Sequence, residues 1–286
     1  MILEATNLTK TYKSGKAVDA ISLKLKIGQI YGVLGRNGAG KTTLFKILCN
    51  LVTADHGSLK IHSTKLKPIG AIIENPGLYT YLNAYENLKV FAEIQNAPRD
   101  KTSLEQYLKT VGLPLDRKDA VRHFSMGMKQ RLAIAIALLN DPEIVILDEP
   151  FSGLDPMGVS DLIRLIKSLA AKNKSVLISS HMLAELQNCC DYLYVIDRGK
   201  LVNQGETTRL FNHSISRYKI KGNGVEQVKN KLFKIIFAEK NSIDIECKAT
   251  EISKILENLI QQGYQITACI PQVTLNELLS QQPNDV

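Results

Sequence analysis

The sequence predicts an α/β core on a mostly parallel sheet, with an antiparallel β segment near its N-terminus, a helical insertion and a small α+β domain behind it. Three observations carry that reading. Short runs such as IYGVLG, IVILD and SVLISS are almost wholly apolar, as strands covered on both faces must be. Amphipathic helical stretches separate them. A break in composition near FNHSIS (211–216) then sets off a C-terminal stretch with its own alternation of strands and helices.

The elements follow in order. In AISLKLKIGQ the residues Ile21, Leu23, Leu25 and Ile27 alternate, which predicts a half-buried antiparallel strand. IYGVLG predicts a fully buried strand, and the glycine-rich stretch after it opens the helix KTTLFKILCNL. There Leu44, Ile47, Leu48 and Leu51 fall at i, i+3, i+4 and i+7, one apolar face. AIIENPGLY predicts a strand that delivers Glu74 to its tip. Residues 80–140 read as mainly helical, broken at Pro98 and Pro114. Buried strands Ile144–Asp148 and Ser175–Ser180 follow. Between them Asp155 and Pro156 open a helix as cap and first-turn residue, with Val159, Leu162, Ile163, Ile166 and Leu169 on one face. YLYVIDRGKLVNQG predicts a hairpin turning at Asp197–Lys200.

Beyond the break the pattern predicts strand (218–220), helix (225–233), strand (235–237), strand (243–247), helix (252–260, ended by Gly263) and strand (264–270). A short helix begins at Thr274 with Glu277 as its capping-box partner. The order β-α-β-β-α-β is that of a ferredoxin-like unit. The expected organisation is therefore a main domain over 1–212, with a helical subdomain at about 76–140, and an accessory domain over 215–286.

At 286 residues, 44% hydrophobic and 22% charged, the chain has room for such a pair of domains. Its longest apolar run, LAIAIALL, is far short of the roughly 20 residues of a membrane helix. MILEATNLTK lacks the basic flank and apolar centre of a signal peptide, so a cytoplasmic protein is expected. Five scattered cysteines without metal-ligand spacing read as free buried thiols. The net charge of +8 lies almost wholly before residue 215, with no basic run interleaved with aromatics and no Trp. Such an excess could serve nucleic acid, an anionic membrane face or neither, and solubility with a mild bias toward anionic surfaces is the default reading.

GRNGAGKT, Gly35 to Thr42, fits G-x-x-x-x-G-K-[ST] between a buried strand and a helix. Its glycines let backbone N–H groups of Gly35, Arg36, Asn37, Gly38, Ala39 and Gly40 turn around phosphate oxygens. The helix N-terminus at Lys41, Thr42 and Thr43 adds partial positive charge. Lys41 would reach the β- and γ-phosphates and the Thr42 hydroxyl would ligate Mg²⁺. IVILDEP presents Asp148 and Glu149 at a strand's carboxyl end, where α/β sheets bind ligands. Asp148 suits the Mg²⁺ shell, and Glu149 can polarise a water against the γ-phosphate. No Asn-Lys-x-Asp occurs, which disfavours a GTPase. FSMGMKQRL places Ser125 and Gly127 at the mouth of an apolar helix, a second phosphate-binding position; SGLDP follows the paired acids, and LISSH ends on His181.

Over about residues 1–210 this set resembles the ATP-binding subunits of ABC transporters, which implies a P-loop ABC-type ATPase core with ATP and Mg²⁺ as its ligands. Tyr12 in TKTY matches the aromatic that stacks on adenine, and His181 the residue that senses the γ-phosphate. SMGMK keeps Ser125 and Gly127 where most members have Ser-Gly-Gly-Gln, while Met126, Met128 and Lys129 depart. In the family the serine and glycine act on the ATP of the opposite subunit. The resemblance thus implies a head-to-tail dimer with a second copy or a homologous ATPase. Glu74 stands where the family usually has a glutamine touching Mg²⁺ and the attacking water. An acid there, with S-x-G-M-K-Q-R-L, resembles the bacitracin-resistance and lantibiotic-immunity branch. That implies a subunit on the cytoplasmic membrane face, gripping a permease through Leu78–Glu93. The alternatives are a non-transporting antibiotic sensor and a soluble ATPase acting on nucleic acid or ribosomes. One cassette and only 83 residues between Lys41 and Ser125 weigh against the last.

Overall fold

The computed structural model describes residues 1–74, 77–228 and 233–280. They form two compact units, one reaching to Thr207 and the other starting at Thr208.

The first unit begins with β1 (Leu3–Tyr12) and β2 (Gly15–Leu25), an antiparallel pair. Ile21, Leu23 and Leu25 of β2 are buried, whereas Ile27 lies past the strand end and is 52% exposed. The chain then enters β3 (Ile30–Leu34), buried at every position, and leaves it through a loop into α1 (Lys41–Leu48). α1 stops earlier than its apolar spacing predicts. Asn50 takes φ +56, the left-handed conformation that ends helices, and Leu51 is left 66% exposed. β4 (His56–Ile61) returns to pair with β1, and β5 (Ile69–Ile72) opens the central sheet.

Helices α2 (Ala84–Ile94), α3 (Lys101–Thr110) and α4 (Met126–Ala137) form the helical part, with Pro98 and Pro114 in the breaks. Asn83 and Glu86 cap α2 reciprocally, and Asp100 caps α3. After β6 (Ile144–Leu147), Asp155 caps α5 (Pro156–Ala171) by accepting from the Gly158 N–H. Leu162, Leu165, Ile166 and Leu169 form its buried face; Val159 and Ile163 are only half-buried. β7 (Ser175–Ser180), α6 (Leu183–Cys189), β8 (Tyr192–Asp197) and β9 (Lys200–Glu206) complete the run, and α7 (Thr207–Ser214) starts on the last residue of the first unit and belongs otherwise to the second. Arg198 and Gly199 both take positive φ in the β8–β9 turn, the twist a two-residue hairpin favours.

The central sheet has the order β5-β6-β7-β3-β8-β9, parallel throughout except for β9. One apolar core joins Leu44, Phe45 and Leu48 of α1 to Leu3 and Leu23 of the N-terminal sheet and to Val33 and Ile146 of the central one. Burying a side chain such as Phe45 contributes about 1.5–3 kcal/mol. α1 is thereby fixed below the carboxyl ends of β3 and β6.

The second unit contains β10 (Arg217–Asn223), β11 (Lys234–Glu239), β12 (Ser242–Glu246), α8 (Ile252–Gln261), β13 (Gln265–Gln272) and α9 (Leu275–Ser280). Its sheet order, β11-β12-β10-β13 with antiparallel neighbours, is that of the ferredoxin-like arrangement. The helix expected over 225–233 is corrected in part. Val225–Gln227 is a 3₁₀ turn, Val228 leaves helical geometry, and residues 229–232 lie outside the described residues. Val225 and Val228 are both buried three residues apart, which is the 3₁₀ period. Residues 281–286 of the expected accessory domain also lie outside the described residues. All five cysteines are free; Cys189, Cys190 and Cys247 are buried, and Cys49 and Cys269 half-buried.

Candidate functional site

The site is built at the carboxyl ends of β3, β6 and β7. Leaving β3, the backbone of Gly35–Gly40 wraps into α1, whose N-cap is Gly40 with no side-chain cap. The first N–H groups of α1 are therefore left for an external acceptor. Gly40 takes φ +104, and a Cβ there would stand 2.1 Å from the Ala17 carbonyl oxygen, so no other residue fits. Arg36, Asn37 and Gly38 are exposed on the outer turn, Ala39 is buried, and Thr43 is half-buried one residue beyond Thr42. Lys41 is only 5% exposed; its ammonium donates to the carbonyls of Gly35 (2.8 Å) and Arg36 (3.2 Å).

Five residues interlock at the head of this loop. The Thr42 hydroxyl donates to Oδ2 of Asp148 at 2.7 Å. Oδ1 of Asp148 accepts from the Ser179 hydroxyl at 2.5 Å, and Ser179 Oγ in turn accepts from the Glu149 N–H at 2.8 Å. Glu149 takes φ +47, a strained backbone for a residue with a Cβ, and the Ser179 bond holds it there. Its Oε2 lies 2.9 Å from Nδ1 of His181. Lys41 Nζ stands 3.0 Å from Oε1, off the direction of a hydrogen bond. That buried oxygen has an ion partner and no hydrogen-bond donor among the described residues. Next to it, the Ser180 hydroxyl donates to Glu185 at 2.6 Å. Burial lifts the Glu185 carboxyl above its usual range against the opposing Ser180 bond, and the charge of Glu149 adds to the rise.

Lys41, Thr42, Asp148, Glu149 and His181 thus come together as the sequence reading has them. Glu74 does not touch Asp148: its carboxylate accepts from Lys46 Nζ on α1 at 2.7 Å. Tyr12 closes β1 with its ring 44% exposed and Lys10 Nζ 5.8 Å from the ring centroid. Ser125 caps α4, its hydroxyl accepting from the Met128 N–H at 3.3 Å. A cavity of about 400 Å³ lies around Ser125 and Gly127, walled by Leu154, Asp155 and Met157; no phosphate-loop residue lines it. Arg117 braces this corner, its guanidinium donating to Met128 Sδ and lying 4.9 Å from the Phe124 ring.

Ser179, Lys46 and Arg117 escape the sequence reading. For Ser179 a signal exists: two serines interrupt an otherwise apolar strand directly before His181. Lys46 stands four residues beyond Thr42, on a helix whose head binds, but nothing in the sequence pairs it with Glu74.

The donor set suits a nucleoside triphosphate: uncapped N–H groups and a lysine for phosphate, with an alcohol and a carboxylate 2.7 Å apart for a hard cation. Residues 18–152 match the ABC transporter family. The chain is 44% identical over 212 residues to the bacitracin transport ATP-binding protein BcrA of Bacillus licheniformis, covering 71% of this chain and 69% of that protein. It is 37% identical over 225 residues to the lantibiotic transport ATP-binding protein SrtF of Streptococcus pyogenes, covering 75% and 97%. Among solved structures, cbiO1 of Clostridium perfringens, part of the ABC transporter complex cbiONQ, is 28% identical with a TM-score of 0.66, covering 73% of this chain and 90% of that one. With a phosphate loop, paired acids and a serine-capped helix arranged in this fold, the chain belongs to the ABC transporter family as an ATP-binding subunit and an ATPase.

Proposed function

We propose that this chain hydrolyses ATP to energise a separate membrane permease for export of, or immunity to, a peptide antibiotic. The observation that carries the chemistry is the interlocked set Thr42–Asp148–Ser179–Glu149–His181 around Lys41. Gly35–Gly40 and the head of α1 cradle the phosphates, and Lys41 neutralises the β- and γ-phosphate oxygens. Thr42 and Asp148, with Glu74 as a further oxygen donor, are the residues to hold Mg²⁺, which supplies positive charge against the triphosphate. Glu149 orients a water and draws its proton as the oxygen bonds to the γ-phosphorus; the bond to the β–γ bridging oxygen breaks, leaving ADP and phosphate. His181 holds Glu149 through Nδ1. Tyr12 offers its exposed ring to adenine.

Ser125 and Gly127 serve the ATP of another subunit, because their cavity includes no phosphate-loop residue of their own. This supports a head-to-tail dimer of two copies or of two homologous ATPases. For the permease, a groove of about 230 Å³ between Ile73, Leu78, Phe91 and Ile136 offers a seat at the cytoplasmic membrane face. No described helix is long and apolar enough to cross a membrane. The transport names of BcrA and SrtF support the substrate class.

Two measurements test the reading. Glu149→Gln should keep ATP binding while lowering turnover by about 10²-fold or more; wild-type turnover would remove Glu149 from the role. In cells, the tagged chain should co-purify with a polytopic membrane protein and raise resistance to bacitracin or a lantibiotic only when Lys41 is intact. Resistance unchanged by Lys41→Ala would end the antibiotic assignment without touching the ATPase chemistry.

A further inference from the structure

Glu74 is the one acid of the site whose carboxylate is mostly exposed, 64% of its side chain, and its backbone takes φ +64. It is held from the side by α1. Lys46 lies one turn beyond Thr42, so its ammonium rises on the helix flank that carries the Thr42 hydroxyl. From there Nζ donates to Oε1 of Glu74 at 2.7 Å. Lys46 is therefore in direct contact with a residue assigned above to the metal.

We propose that Lys46 is a positioning residue of the ATPase site: it competes with nucleotide-bound Mg²⁺ for the Glu74 carboxylate and so sets the Mg²⁺ concentration at which ATP is held. The inference rests on the reading of Glu74 as a metal contact. A carboxylate engaged by an ammonium gives a divalent ion less of its charge, and releasing it costs the worth of the pair. Exposed pairs of this kind correspond to roughly 1.5- to 5-fold in an equilibrium constant. A glutamine at position 74 would hold no such ion pair. The acid at 74 and the lysine at 46 therefore form one functional unit, which tunes the site to its Mg²⁺ supply.

The test is a double-mutant cycle on the full chain with Lys46→Met, which keeps the aliphatic stem and helix propensity. The readout is the Mg²⁺ concentration giving half-maximal binding of a fluorescent, non-hydrolysable ATP analogue, so turnover plays no part. Lys46→Met should lower that concentration by about 1.5- to 5-fold more with Glu74 present than with Glu74→Gln, at low salt. Half-molar salt should erase most of the difference. The same shift in both backgrounds would mean that Lys46 acts on the nucleotide's charge directly, and would overturn the proposal. Comparing Lys46→Met with Lys46→Met/Glu74→Ala separates the two readings. No change in Mg²⁺ requirement there takes Glu74 off the metal, and the proposal falls with it. A change there without coupling in the cycle removes Lys46 alone.

Discussion

Ser179→Ala gives the sharpest check on how the paired acids are held. Ser179 is fully buried, and its one hydroxyl does two things: it accepts from the Glu149 N–H at 2.8 Å and donates to Oδ1 of Asp148 at 2.5 Å. Removing it leaves a part-buried donor without its acceptor, about 1–3 kcal/mol, and deletes a bond to a charged group, about 1.5–3 kcal/mol. The two losses share one atom and do not add fully, so about 2–4 kcal/mol of stability should go. The φ of +47 at Glu149 loses the bond that holds it. Turnover should fall about 10- to 100-fold while the KM for ATP stays near wild type, because Lys41 and its loop are untouched. Ser175→Ala is the matched control on the same strand. Its hydroxyl is also fully buried but has no hydrogen-bond partner among the described residues, so its removal should be neutral or slightly stabilising. Urea unfolding and steady-state ATPase rates measure both variants. If Ser179→Ala unfolds within about 0.5 kcal/mol of Ser175→Ala and turns over at the wild-type rate, the hydroxyl does not organise the acids.

Two further outcomes follow from the geometry. Ser125→Arg should abolish hydrolysis with ATP affinity of the isolated chain nearly unchanged, and mixing it with Lys41→Ala chains should restore part of the activity; a dead mixture in which heterodimers form would refute the composite site. Asp141 takes two ion pairs, from Lys65 at 2.6 Å and Lys174 at 2.7 Å. Burial would raise its carboxyl, but the bonds from Lys174 and Lys65 outweigh it and hold the pKa below the ordinary 3.8. A depressed carboxyl contributes stability above the unfolded value that is lost as pH falls through the folded one. Asp141→Asn should thus cost about 1 kcal/mol at pH 7 and low salt, with the gap to wild type closing in urea titrations below about pH 4.

What was legible in the sequence is what local chemistry decides. β3, β6 and β7 announce themselves because a strand covered on both faces must be apolar at nearly every position. α5 announces its start because Asp155 and Pro156 satisfy and tolerate the orphan N–H groups of a first turn. Thr42, Asp148 and Glu149 were legible because phosphate and metal chemistry leave few alternatives at those places. Residues whose roles come from a neighbour distant in the chain were not. Ser179 reads as one more strand residue until β7 is set beside β6. Lys46 reads as a solvated helix lysine until the chain brings Glu74, 28 residues on, against it. α1 ends short of Leu51 because Asn50, a poor helix former that tolerates positive φ, closes it, and the apolar spacing carries no sign of that stop.

Under the proposed function, the same contacts connect the ATP site to the groove proposed to seat the permease. α1 begins with Lys41 and Thr42, proposed above to meet phosphate and metal, and carries Lys46; Lys46 holds Glu74; and the groove residues Gly77 and Leu78 follow close behind in the chain. Magnitudes decide what this series can do. An exposed ion pair contributes at most about 1 kcal/mol. Driving a two-state element from 1:99 to 99:1 takes about 5.5 kcal/mol of differential binding. The Lys46–Glu74 pair therefore cannot power a conformational stroke in the permease; it can only shift the Mg²⁺ and nucleotide level at which one begins. In the proposed dimer the larger part comes from groups that meet the phosphates only when two chains close on them. The uncapped head of α1 on one subunit and the Ser125-capped head of α4 on the other are the two that the fold supplies. Substitutions at Lys46 should therefore move thresholds, and substitutions at Ser125 should remove the stroke.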